Sequence, residues 1–108
     1  MGTTLTTVSS SCATAGANTG VAASAGNHHV LCGFQLQMEA AATSLQRVLL
    51  KSGTTEMWRF VGTAVGDGLT HTFEQGEELH WGSGQAIVLD LAEAKAVGYV
   101  LRYRTFAD

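Results

Sequence analysis

Four histidines, two cysteines and a handful of carboxylates are the residues of this chain best able to do chemistry. His28, His29, His71 and His80 raise the question of a metal site. His28 and His29 are adjacent, so on a strand they point to opposite faces and cannot share one ion. His71 and His80 fall in separate apolar stretches and could approach each other. No carboxylate or thiolate stands at a fixed ligand spacing from any of the four. Surface or interface histidines are therefore the preferred reading, and no metal or other cofactor is expected.

Nucleophilic catalysis finds as little support. Gly82-Ser83-Gly84 lacks the spacing of a Gly-x-Ser-x-Gly elbow and reads as a turn. Cys32 falls within an apolar alternation, where burial raises a thiol pKa and blunts its reactivity. Glu77 and Glu78 sit in a charged turn, and the 13 glycines form no phosphate-cradling run. No catalytic residue is assigned, and the chain is not expected to be an enzyme. Trp58 and Trp81 read first as core residues. Trp81, just before Gly82-Ser83-Gly84, is also placed for a loop-end contact with a sugar or a partner. Arg102 and Arg104 read as a solvated strand face that, in an assembly, could pair with a neighbour's acidic groups through bidentate carboxylate contacts.

Composition narrows the partners. Only 14% of the 108 residues are charged and the formal net charge is -3, so no basic footprint for nucleic acid exists. No apolar run approaches the roughly 18 residues of a membrane helix, and no membrane partner is expected. The start, Met1 to Thr7, has neither the basic nor the apolar region of a secretory signal. Cys12 and Cys32 could form one disulfide, but reduced thiols fit as well.

The elements that position these residues are strands. Residues 85–104 read as two strands joined by a short turn. Ile87, Leu89 and Leu91 face one way, opposite Val88 and Asp90. Val97, Tyr99, Leu101 and Tyr103 alternate with Gly98, Val100, Arg102 and Arg104. Val30, Cys32, Phe34, Leu36 and Met38 alternate in the same fashion, which places Cys32 on an inner face. Met57–Val61, Leu69–Phe73 and Leu79–Trp81 are shorter strands separated by glycine-containing turns. Asp67-Gly68 is a turn signal of the tight-hairpin type. Residues 38–51 have high helix propensity, but a strand ending near Met38 and another over 45–51 suit the rest better. Strands at this cadence predict an all-β fold, an antiparallel β-sandwich of jelly-roll type.

Residues 1–26 are set apart from the body at 27–108. No charged residue precedes Glu39, and twenty of the first 26 residues are Thr, Ser, Ala or Gly. Leu5, Val8 and Val21 are the only larger aliphatics. Such a segment does not bury enough apolar area by itself to offset its ordering entropy. It reads either as a flexible tail or as an extended arm that orders on another subunit. In the second reading Leu5, Val8 and Val21 are partner contacts, with Trp81, Arg102 and Arg104. Deleting residues 1–20 is then expected to leave a folded body. A body this small has a core worth only ~3–5 kcal/mol, so an obligate homo-oligomer is expected.

The strand from Val30, the segment Leu49–Thr54, the turn Gly66-Asp67-Gly68, and the ending Ala86–Leu91 with Val97–Tyr103 together resemble small jelly-roll proteins of tailed bacteriophages. These are the decoration or cement proteins of capsids and the related head-fibre and tail-tip domains. The resemblance is one of pattern and cadence over roughly residues 28–104, and the helix-prone run at 38–51 departs from it. It implies a β-sandwich, commonly trimeric, that sits on the capsid surface of a virion, is made in the host cytoplasm, and locks neighbouring subunits of the major capsid protein. It carries no catalytic residues. A receptor- or glycan-binding tip of a fibre or tail is the alternative it leaves open.

Overall fold

The computed structural model describes residues 4–108. Among them are nine strands and no helix: β1 (Thr6–Cys12), β2 (Gly16–Val21), β3 (Asn27–Met38), β4 (Gln46–Ser52), β5 (Thr55–Gly62), β6 (Gly68–Thr72), β7 (Leu79–His80), β8 (Ile87–Leu91) and β9 (Val97–Ala107). They form two antiparallel sheets. One has the order β1-β9-β3-β6, with β7 also paired to β3; the other has the order β2-β8-β4-β5. Setting β7 aside, the pairs β1·β9, β2·β8, β3·β6 and β4·β5 alternate between the sheets. That is one long antiparallel ribbon folded over on itself, the connectivity of a jelly roll.

The core lies between the sheets and follows the period-two alternation. Ile87, Leu89 and Leu91 of β8 face Val97, Tyr99 and Leu101 of β9 and Phe34, Leu36 and Met38 of β3, all buried. The strands β8 and β9 do not pair with each other. Residues 92–96 carry the chain from one sheet to the other, so that two apolar faces stack instead of lying side by side. The helix-prone run resolves into the end of β3 at Met38 and the strand β4, whose Val48 and Leu50 are fully buried. Burial on a sheet face outweighs intrinsic helix propensity here.

Three expectations are corrected. Cys32 does not lie on the inner face. The β3–β9 register shifts between Leu31 and Gly33, so a bulge at Cys32 reverses the side-chain phase. Leu31 is the core residue, Cys32 is half-buried, and Val30, though buried, is not part of the core cluster. Asp67-Gly68 is not a tight hairpin, because β5 and β6 belong to different sheets. The residues make a corner in which Gly66 takes the positive φ of 94° and the Asp67 carboxylate accepts from the amides of Thr63 and Ala64 at 3.0 and 2.9 Å. Gly68 serves close packing: a Cβ there would stand 2.6 Å from the Leu36 carbonyl.

The third correction concerns residues 1–26. From Thr6 onward this segment forms part of the same sandwich, with no break at residue 26. β1 pairs with β9 over seven positions, and β2 pairs with β8. Val8 and Cys12 pack against the core, and Val21 belongs to it. Gly20 lies so close to Leu89 and Leu101 that a Cβ would meet their methyls at 2.7 and 2.8 Å. The segment's own side chains do not offset its ordering entropy; two hydrogen-bonded ladders, and the apolar surface that β8 and β9 would otherwise expose, supply the rest.

The connections are held by polar side chains. Gln46, fully buried at the start of β4, donates from Nε2 to the carbonyls of Glu93 and Lys95 at 2.8 and 3.0 Å, and its Oε1 accepts from the Glu93 amide at 2.8 Å. In return the Glu93 carboxylate accepts from the amides of Thr43, Ser44 and Leu45. The Thr43 amide, then that of Ser44, holds the Glu93 carboxyl below the usual carboxylate range. The loop before β4 and the turn before β9 are thus clasped to each other.

Two outcomes are expected. Removing residues 1–20 strips an outer strand from each sheet, so the truncated chain should lose cooperative thermal unfolding, read by circular dichroism; a sharp transition at the full-length temperature would refute the placement of β1 and β2. A carboxyl with a lowered folded-state pKa stabilises above its unfolded pKa, and that gain is lost as pH falls through the folded value. Glu93→Gln should therefore be less stable than the parent at neutral pH, with urea midpoints converging in strong acid.

Candidate functional site

The outer face of the β1-β9-β3-β6 sheet is the candidate contact surface. Register places three rows across its four strands. Ser11, Gly98, Gln37 and Gly68 form the first; Ser9, Val100, Gln35 and Thr70 the second; Thr7, Arg102, Gly33 and Thr72 the third. Arg102 is the one formally charged side chain in these rows. The others are small hydroxyls, amides, a valine and three glycines, the residues left over when the opposite positions of each strand go to the core. The hydroxyl and amide positions are exposed. The result is a low surface rich in donors and acceptors, with Gly68 exposed among them.

Each end of the face carries a depression. At one end a hollow of about 250 Å³ is lined by Ser9, Ser11, Gln35, Gln37, Glu39 and Gly98. The Glu39 side chain lies over Gly98, where a Cβ would stand 2.8 Å from its Oε2. At the other end a groove of about 540 Å³ is bordered by Cys32, Thr72, Phe73, Arg102, Arg104 and Phe106. The bulge at Cys32 opens this groove by breaking the regular outward pattern of β3.

The histidines occupy separate environments. His29 is buried: its Nε2 donates to the Ala22 carbonyl at 2.8 Å, its Nδ1 lies 2.8 Å from the Thr105 hydroxyl, and its ring meets the edge of Tyr103. It ties the β2–β3 connection to β9. His28, on the opposite face of β3, stacks with His80 and Phe106, and its Nδ1 is 2.8 Å from Asp108. The Ser83 hydroxyl also donates to Asp108, and these two bonds, that of Ser83 first, lower the Asp108 pKa. His71 does not approach His80. It stacks on Trp58 at 5.0 Å and meets Phe73 edge-on, bridging edge strands β5 and β6 of opposite sheets. Among the described residues, no three His, Cys, Asp or Glu side chains gather as a metal site would require.

The structure separates the six contact residues that the sequence suggested. Val8 and Val21 are spent on the chain's own core. Trp81 is also a core residue, with its Nε1 donating to the Lys51 carbonyl at 2.8 Å, so it offers no ring to a sugar or partner. Its apolar body and single polar handle are both satisfied inside. Leu5, Arg102 and Arg104 do come together, around the larger groove. Both cysteines are free thiols, and burial, reinforced by the nearby Glu39 charge, raises the Cys12 pKa. Sequence reasoning missed Ser9, Ser11, Gln35, Gln37 and Thr70, although each occupies the outward phase of an alternation that was itself visible. Compared with known proteins, the chain matches no family model and no curated protein sequence.

Gly98→Val adds bulk to the smaller hollow, and the three atoms nearest its Cβ all belong to the flexible side chain of Glu39. The melting temperature is expected to hold within a few degrees, as for an ordinary surface substitution of about ±0.5 kcal/mol. A collapse in stability would show that the Glu39–Gly98 contact is structural.

Proposed function

We propose that this protein is a structural virion subunit, a capsid decoration or cement protein that binds the outer lattice of the major capsid protein and stabilises the head. The observation that carries the reading is the outer face of the β1-β9-β3-β6 sheet. Its three rows of serine, threonine and glutamine over glycines suit broad, low-energy contact with another protein surface. Each contact is weak, and repetition by symmetry converts many of them into a large barrier against rupture. A homo-oligomer, with a trimer favoured, supplies that repetition. The phage resemblance in the strand cadence points the same way, and the folded-ribbon topology is compatible with it.

The test is co-sedimentation of the purified protein with heads prepared from the phage that encodes it, with negative-stain imaging of the pellet. The parent chain should saturate the heads. Gln35→Glu/Gln37→Glu, which places two charges on the exposed face without touching the core, should lower occupancy at least 10-fold. Equal occupancy by parent and variant would remove this face from the contact.

A receptor- or glycan-binding tip is the second reading, and the half-buried Trp58 stacked on His71 is the feature that favours it. A cement protein should be blank on a glycan array. A saccharide captured by the parent chain and lost on Trp58→Ala would decide for the tip.

A further inference from the structure

Four strands edge the two sheets: β1 and β6 in one, β2 and β5 in the other. An edge strand turns half its amides and carbonyls away from its neighbour, where another chain can pair with them. Three of the four edges are closed, each in a different way. The β2 ladder shifts register between Thr19 and Val21, and Asn18 folds back to donate from Nδ2 to the Thr14 and Gly16 carbonyls at 2.8 and 3.1 Å. β5 carries the exposed Glu56–Arg59 ion pair. β6 is only five residues long, and its His71 is stacked on Trp58 of the opposite sheet. β1 has none of these devices. Its seven residues run in unbroken register with β9 and include no charge, glycine or proline. Thr6 and Ser10 share the inward phase of Val8 and Cys12 yet are exposed. Among the described residues, no β1 group finds a hydrogen-bond partner beyond the β9 ladder.

We propose that β1 pairs with β1 of a second copy of this chain, antiparallel about a two-fold axis at Ser9, so that the two β1-β9-β3-β6 sheets join into one. Ser9 is the midpoint of Thr6–Cys12, so this register uses the whole strand: Thr6 meets Cys12, Thr7 meets Ser11 and Val8 meets Ser10 of the second copy. Inward positions meet inward positions, and the two cores run on into each other. Charge complementarity selects a second copy as the occupant. The outer row of Arg102 and Thr7 continues across the axis into the row of Ser11 and Gly98 of the second copy. The Glu39 side chain lies over that Gly98. The axis therefore sets Arg102 of each copy towards Glu39 of the other, twice over. Both side chains are exposed, and among the described residues neither makes an ion pair within its own chain. The backbones of Arg102 and the facing Gly98 lie three strand spacings apart, about 14 Å. An extended arginine covers much of that span, leaving the charges within the ~8–10 Å over which attraction survives salt. The strand itself adds no repulsion, since no formal charge precedes Glu39. A ring of three would need a second open edge to receive β1, and the other three are closed. The pair is therefore two-fold, in place of the trimer that the family resemblance favours. It leaves both outer faces uncovered and merges them into one wider surface.

The test is sedimentation equilibrium of the full chain. At about 100 μM the parent should weigh twice the 11.3 kDa of one chain. Ser9→Lys and Ser9→Glu each set like charges face to face on the axis, and each should raise the dimer dissociation constant about 10-fold. An equimolar mixture of the two variants should recover the parent's affinity as a heterodimer. Arg102→Glu should weaken the pair to a similar degree, and Arg102→Glu/Glu39→Arg should restore it. All these side chains are exposed, so the fold is retained, as unchanged circular dichroism spectra would show. A parent that stays monomeric at this concentration would overturn the proposal and leave the edge to an extended strand of another protein. A trimer mass, a dimer indifferent to Ser9→Lys, or a mixture of the two Ser9 variants that fails to recover pairing would overturn it too. The head-binding reading is judged separately. Heads that ignore a dimeric chain would sink the capsid role and leave the pairing standing, and heads decorated by a monomeric chain would do the reverse.

Discussion

The ladder between β3 and β9 is the constraint on which the rest of the structure depends. It is the longest pairing, running from Asn27↔Ala107 to Met38↔Val97. Every other strand of its sheet is hung on it: β1 on the free side of β9, β6 and β7 on the free side of β3. The bulge at Cys32 divides the ladder into two phases. On one side of it Phe34, Leu36 and Met38 face inward; on the other His29 and Leu31 do. An unbroken alternation would place Val30 and Cys32 in the core and push His29 and Leu31 to the surface. The one extra residue thus determines which side chains complete the core, why a histidine is buried, and where the outer face opens into a groove.

The connections of the sandwich are held by carboxylates and amides aimed at backbone groups. Glu93 holds the loop at residues 43–45, Asp67 the corner at 63–64, and Gln46 the turn at 93–95. The hydrogen bonds that backbone amides donate to them lower the pKa of both Glu93 and Asp67. These are charge-assisted bonds to amides that strand pairing leaves unused. A chain with no proline and few charges fixes its loops in this way, using polar side chains where stiffer proteins use backbone restriction.

The two faces of the β1-β9-β3-β6 sheet divide the labour. The inner face supplies the apolar contact that orders the chain. The outer face retains hydroxyls and amides that hydrogen-bond to whatever lies against them, since few of its side chains bond within the protein. The two arginines of β9 lie at one end of this face, beside aromatic walls.

The sequence by itself determined that the chain is all β and which residues of β8 and β9 face inward, and at residues 38–51 it favoured a strand over a helix without deciding between them. These follow from period two, which each strand carries in its own side chains. It also indicated that Arg102 and Arg104 stand on an outward face. Only the tertiary structure decided that β8 and β9 lie in opposite sheets, that Trp81 is sealed by the Lys51 carbonyl, and that Cys32 sits in a bulge. It alone showed that Thr6 to Val21 close both sheets of their own sandwich. The physical reason is shared. Alternation records which way a side chain points relative to its own strand, whereas pairing, bulges and edge closure depend on hydrogen bonds and methyl contacts with strands that lie far off in the chain, such as Val8 against Leu101.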